Sequence, residues 1–194
     1  VTKEDYIFRA LSMPPQFGKV AKAYIVQDTQ ISLDTNKRIS NPNALNLYTV
    51  GYNYNKKLEP LSFAAKTNLA TYLEQYRMLT DAINIKEASV INFKIEFDIS
   101  VKSGFSNDRV LLSAINNLRS FFNTDNWQIN QPINIGDISS LLYSIDGIQT
   151  ANNIIFTNLF GENSGYSKFK YNFDAATRNG TIYPSLDPSI FELK

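Results

Sequence analysis

The most regular feature of the chain is an alternation of apolar and polar residues near its middle. The apolar residues of this segment take every second position, at Ile91, Phe93, Ile95, Phe97, Ile99 and Val101. The residues between them are polar or charged. A period of two places each set on its own face of a β-strand. The segment therefore predicts a long strand with one buried face and one face that is wet or covered by a partner.

Helical periodicity appears in four other segments, where apolar residues recur at steps of three and four. The first helix begins after the capping residue Thr2, and the second is predicted over about residues 62–79 with Ser62 as its N-cap. The third begins at Asn107. A fourth, shorter helix begins at Asp137, and Gly147 is placed to terminate it.

Shorter strand patterns complete the domain. They cover Val20 to about Leu33, residues 45–54 and residues 148–159, while the polar stretch 37–44 contains a proline and predicts a loop. The order is helix, strand, strand, helix, one or two strands, helix, helix and strand. This order is typical of an α+β fold with its helices on one face of the sheet.

The predicted architecture is a small mixed β-sheet packed against two or three helices in a two-layer sandwich, formed by residues 1–160. Residues 161–194 are rich in Gly, Ser and Asn with isolated aromatics. They lack the periodic apolar pattern of an independent core. We therefore predict an extended C-terminal tail that packs on the domain or on a neighbouring subunit.

The amino-acid composition excludes several classes of catalytic and metal-binding site. The 194 residues are 43% hydrophobic and 13% aromatic, and they include no Cys and no His. Disulfides, thiolate nucleophiles, Ser-His-Asp triads and the common zinc and haem ligand sets are therefore excluded. A net charge of +1 lacks the basic surplus that nucleic-acid binding usually needs. No apolar run reaches the roughly 20 residues of a membrane span, so we expect a soluble, intracellular protein.

Few side chains suggest a chemical site. Glu96 and Asp98 share one strand face, but Lys94 and Lys102 flank them on that face, as on the ordinary surface of an amphipathic strand. The loop that begins at Gly161 lacks the Gly-Lys-Ser/Thr ending of a phosphate loop. We predict no enzyme, no cofactor, no metal and no small-molecule substrate.

Five short segments, in order along residues 1–160, resemble the baseplate J-like family of contractile tails. They are Thr2-Lys3-Glu4-Asp5-Tyr6, Val20-Ala21-Lys22-Ala23, Leu47-Tyr48-Thr49-Val50-Gly51, Tyr76-Arg77-Met78-Leu79-Thr80-Asp81 and Ile145-Asp146-Gly147-Ile148. The closing segment 179–192 more specifically resembles the end region of the baseplate wedge subunits of T-even-type phages.

This resemblance implies a structural virion protein without enzymatic activity. It implies a homodimer that joins other baseplate wedge proteins into the inner ring, in the tail baseplate of a virion assembled in the host cytoplasm. The family offers no catalytic residues. A start at Val1 without methionine suggests a fragment of a longer chain, and the resemblance implies that this fragment is the carboxy-terminal portion of the subunit.

The sequence leaves open the role of the tail and the choice between alternative functions. The tail residues Ile182, Tyr183, Ile190 and Phe191 are the candidate interface with another subunit, and they could equally cover the chain's own sheet. A carbohydrate-binding or receptor-binding virion module is the alternative function, because surface Tyr and Trp127 could stack on sugars. A solvent-exposed aromatic trough would favour that alternative. An enzyme that uses two convergent carboxylates is a third alternative function.

Overall fold

The computed structural model of the chain describes residues 2–31, 38–79, 81–185 and 187–194. The chain divides into two compact units, Val1–Ala88 and Ser89–Lys194. Each unit combines strands with helices, which confirms the predicted α+β class. Residues 161–194 fall within the second unit.

The first unit is built around one long central strand. Its helices are Lys3–Leu11 (α1) and Phe63–Glu74 (α2), and its strands are Val20–Ile31 (β1), Arg38–Tyr52 (β2), Leu58–Glu59 (β3) and Ala82–Glu87 (β4). β2 pairs antiparallel with β1 on one edge. On its other edge it pairs antiparallel with β3 and parallel with β4, so the sheet is mixed.

Both helices of this unit bury an apolar stripe in one core. The core combines helix and strand side chains and consists of Tyr6, Ala10, Met13, Val20, Ile25, Leu45, Leu47, Leu61, Ala65, Leu69 and Leu73. α1 begins with a complete capping box, in which the Thr2 hydroxyl accepts from the backbone N–H of Asp5 and the Asp5 carboxylate accepts from the N–H of Thr2. The helix start predicted from sequence is therefore confirmed.

Two predicted boundaries in this unit were wrong. α2 ends at Glu74 rather than near residue 79, because the chain turns there and the N–H of Tyr76 bonds to the carbonyl of Leu73. β2 begins at Arg38, inside the stretch predicted as a loop. Pro42 is tolerated in this strand because it falls at a register shift with β1, and a bulge is a position where the ladder needs no proline N–H.

In its described residues, 89–185 and 187–194, the second unit contains a three-stranded sheet, a small second sheet and three α-helices. The helices are Asn107–Phe121 (α3), Ile135–Tyr143 (α4) and Phe173–Ala176 (α5), and the strands are Ser89–Val101 (β5), Ile133–Asn134 (β6), Ile148–Leu159 (β7), Thr177–Arg178 (β8), Thr181–Ile182 (β9) and Ser189–Leu193 (β10). β5 is central, between parallel β10 and antiparallel β7. The small sheet has the order β6-β9-β8.

The long alternating segment forms β5, as predicted, but its two halves differ. In the first half both faces are buried, including Val90 and Asn92. In the second half the even-numbered side chains Glu96, Asp98 and Ser100 are exposed and the apolar ones are half-buried. The difference follows from pairing, because β10 lies beside residues 89–93 only.

Candidate interaction surface

The four candidate interface residues of the tail occupy two different environments. Ile190 and Phe191 lie in β10 and Ile182 lies in β9, and all three side chains are buried within the second unit. Tyr183 follows β9, and its side chain is 50% exposed. Of the four, Tyr183 is the residue whose ring is accessible to another molecule. A role for these residues in an interface stays a prediction.

Phe191 belongs to an aromatic cluster on one face of the main sheet. Its ring lies 6.1 Å from that of Phe93 and 6.0 Å from that of Phe173, measured between ring centroids. Phe93 in turn contacts Phe122 at 5.2 Å, edge to face. Edge-to-face and tilted aromatic pairs of this kind stabilise beyond their buried area. The tail therefore contributes to the core that α3 and β5 also form.

The opposite side of β10 is fixed by a buried polar network that the sequence did not reveal. Glu192 accepts a 2.8 Å hydrogen bond from the side-chain amide of Asn92 and forms a 2.8 Å ion pair with Lys194. The side-chain oxygen of Asn92 accepts from the N–H of Ser167 at 2.7 Å. A buried carboxylate needs such partners, since losing one leaves an uncompensated charge. The alternating sequence pattern predicted that Asn92 lies on the polar face of its strand. No local sequence pattern indicated that Glu192 or Lys194 belongs to a buried network.

Tyr183 is held by its backbone while its ring points to solvent. Its N–H donates to the carbonyl of Ala176 at 3.2 Å, and its carbonyl accepts from the hydroxyl of Tyr171. Burial raises the pKa of Tyr171 to about 12, so the phenol stays protonated and remains a donor at physiological pH. The backbone around Tyr183 is thereby fixed, which presents its ring in a defined position.

In the first unit, two of the segments that carry the family resemblance meet in space. The Tyr6 hydroxyl donates a 2.6 Å hydrogen bond to the Asp81 carboxylate and accepts one from the N–H of Met78. Arg9 lies over the ring of Tyr76, with the guanidinium carbon 4.4 Å from the ring centroid. Burial, and then the bond to Asp81, raise the pKa of Tyr6. These contacts fasten α1 to the turn that follows α2.

Replacing Tyr6 with Phe is expected to destabilise the first unit by about 1–3 kcal/mol, because the hydrogen bonds of the Tyr6 hydroxyl with the Asp81 carboxylate and the Met78 N–H are lost. Chemical denaturation, monitored by the exchange of backbone amides in α1 and α2, measures this loss. Tyr54→Phe is the matched control, since its side chain is fully exposed. Equal stability of the two variants would contradict the role of this junction.

The remaining candidate groups do not converge on a chemical site. Glu96 pairs with Lys94 at 2.5 Å, and Asp98 accepts from the Asn153 amide at 2.7 Å, both on an exposed face. Trp127 is buried against Phe121 and Phe122, so it is not part of a surface trough. Within the ranges that the structure describes, no three acidic side chains gather as metal ligands. Among those same residues, no helix has the length and apolar character to cross a membrane.

Comparison with known proteins found a solved structure with a similar fold. No family model matches the sequence, and no curated protein matches it. A chain of the anti-feeding prophage baseplate, solved by cryo-electron microscopy with 6-fold symmetry imposed, matches 100% of this chain with a TM-score of 0.56 at 12% identity. The match covers 37% of that chain, so this chain spans less than half of its structural neighbour. At this identity the similarity establishes a shared fold.

Proposed function

We propose that this chain is a structural part of the baseplate of a contractile phage tail or a related particle. More specifically, it is the carboxy-terminal portion of a J-like baseplate wedge subunit, which dimerises and links wedges into the baseplate ring. It acts by binding other proteins, without enzymatic activity and without nucleic-acid, membrane or small-molecule ligands. Its location is the virion tail, after assembly in the host cytoplasm.

The observation that carries the proposal is the fold shared with a baseplate chain over the whole length of this one. Independent support comes from the five ordered segments that resemble the J-like family. The contact between Tyr6 and Asp81 adds to this support, because it joins residues of two such segments that are 75 positions apart. These segments therefore include residues that hold the unit together.

The surface chemistry suits a subunit held by several neighbours. Charged residues make up 19% of the chain, below the roughly 25% of a typical soluble protein, so an interface would require fewer charges to lose water. Large apolar side chains are exposed in both units, among them Phe8, Phe63 and Leu112. A baseplate subunit must keep some contacts while others change, and apolar interfaces suit the permanent ones.

The dimer and the tail's part in it can be tested together by light scattering. The unmodified protein is expected to show a mass about twice the 22.0 kDa of one chain. Tyr183→Glu is expected to weaken the dimer about tenfold or more, because it places a charge in an apolar contact. Truncation of the whole tail would be a poorer test, since it removes β10 from the sheet.

Tyr54→Glu serves as the control, because it makes the same change at a fully exposed tyrosine of the first unit. A monomer at every concentration would contradict dimerisation of this portion. A Tyr183→Glu dimer as strong as the control would place the dimer contact outside the tail.

A further inference from the structure

The edge of β5 that faces β10 is only partly occupied. β10 pairs with Ser89–Phe93, and the N–H of Lys194 donates to the carbonyl of Phe93 at 3.0 Å. Beyond Phe93, β5 continues to Val101 with β7 on its other edge. None of the strands in the described part of the chain pairs with residues 94–101 on the β10 side.

The backbone groups on this open edge can be assigned from alternation. Ser89 and Phe93 bond toward β10, whereas the N–H of Lys102 donates to the carbonyl of Gly147, just before β7. Both register shifts with β7 insert extra residues in β7, so the alternation within β5 is kept. The odd-numbered residues 95, 97, 99 and 101 therefore direct N–H and C=O outward. In the ranges described, these groups have no hydrogen-bond partner.

The side chains beside the open edge divide it into an apolar and a charged face. The apolar face carries a pocket of about 280 Å³, lined by Ile99, Val101, Asn107, Asp108 and Leu111. On the other face Lys94 forms an ion pair with Glu96, while the partner of Asp98 among the described residues is the neutral side-chain amide of Asn153. An occupant thus meets unpaired backbone groups, a pocket with apolar and polar lining, and Asp98, which forms no ion pair with any residue that the structure describes.

We propose that the open edge of β5 is a docking site for an extended segment of a different protein, which adds a strand next to residues 94–101. This mode of recognition uses backbone hydrogen bonds for affinity and alternate side chains for specificity. The fitting segment alternates apolar residues, which face the pocket, with a Lys or Arg that reaches Asp98. The proposal stands on the geometry of the edge and does not require the baseplate function.

A second copy of the chain fits this edge poorly. If two copies paired antiparallel along the full length of this edge, Asp98 of one copy would lie opposite Asp98 of the other. Lys94 would lie opposite Lys102. Like charges directly opposite each other destabilise a strand pair. The continuing chain would also run into the end of β10 at Lys194.

Amide hydrogen exchange measured by NMR tests the open edge directly. In the free protein, amides of residues 94, 96, 98 and 100 are expected to exchange slowly, and those of 95, 97, 99 and 101 quickly. Slow exchange of all eight in dilute protein would overturn the proposal. If protection of the odd-numbered amides grows with protein concentration, a second copy of the chain occupies the edge. That result would overturn the proposal that a different protein binds there.

Binding is tested with a synthetic peptide of about ten residues that alternates Val with Thr and Lys. Its addition is expected to slow exchange at the four odd-numbered amides, and Asp98→Lys is expected to weaken binding about threefold or more. Glu162→Lys, an exposed change beyond the other end of β7, should leave affinity unchanged. Absence of protection at saturating peptide, or equal affinity of the two variants, would contradict the proposed site.

Discussion

Replacement of Phe191 with Ala is expected to destabilise the second unit by about 3–5 kcal/mol, the loss typical of a buried phenylalanine. The ring is 1% exposed and lies among Phe93, Tyr171 and Phe173. Its removal leaves a cavity in the aromatic cluster, which the surrounding strands can fill only in part. Urea denaturation followed by Trp127 fluorescence measures the effect, because this single tryptophan lies within the second unit.

Tyr183→Ala provides the matched control on the same tail. Its side chain is half exposed, and the hydrogen bonds of residue 183 use backbone atoms that alanine keeps. At protein concentrations low enough to dissociate the proposed dimer, the expected loss is below about 1 kcal/mol. If Phe191→Ala were as stable as this control, β10 would not be part of the core described above.

Gly147→Ala is expected to destabilise the same unit by about 2–5 kcal/mol, through backbone strain and steric overlap together. Gly147 has a φ of 96°, which an L side chain rarely adopts. An added Cβ would lie 2.7 Å from the Phe105 ring and 2.9 Å from a methyl group of Val110. Phe105 is partly exposed and can move, but Val110 is buried on α3, so the overlap is relieved only by shifting the helix or the turn.

Gly104→Ala separates the two contributions to this loss. Gly104 has a nearly identical φ of 92°, and a Cβ there would meet no atom within 4 Å. Its substitution is expected to cost about 1–2 kcal/mol for backbone conformation alone. Thermal or urea unfolding of both variants gives the difference. Equal losses would show that steric overlap at Gly147 is negligible.

Local periodicity was sufficient to predict most elements. The period of two located β5, and β7 has the predicted bounds, because each strand begins and ends at a change of pattern. The Asn179-Gly180 pair is typical of a tight turn, and both residues take positive φ between β8 and β9. These features depend on neighbours in sequence, which a single sequence records well.

Features that depend on distant contacts could not be predicted in the same way. β10 has no alternation, because Ser189, Ile190, Phe191 and Glu192 are buried on both faces. A strand of this kind is read from sequence as an irregular tail. The burial of the Glu192 carboxylate depends on a hydrogen bond from Asn92, which is 100 positions away, and on an ion pair with Lys194. The division of the chain into units at Ala88 likewise reflects which strands pair, and the long alternation of β5 gave no sign of it.

The proposed baseplate role is tested most directly by cryo-electron microscopy of contractile particles isolated from cells that produce the full-length protein. The proposal predicts that residues 1–194 fit density within the baseplate ring, with each copy beside a second copy and other wedge proteins. Particles whose baseplate density is complete without this chain would contradict the proposal.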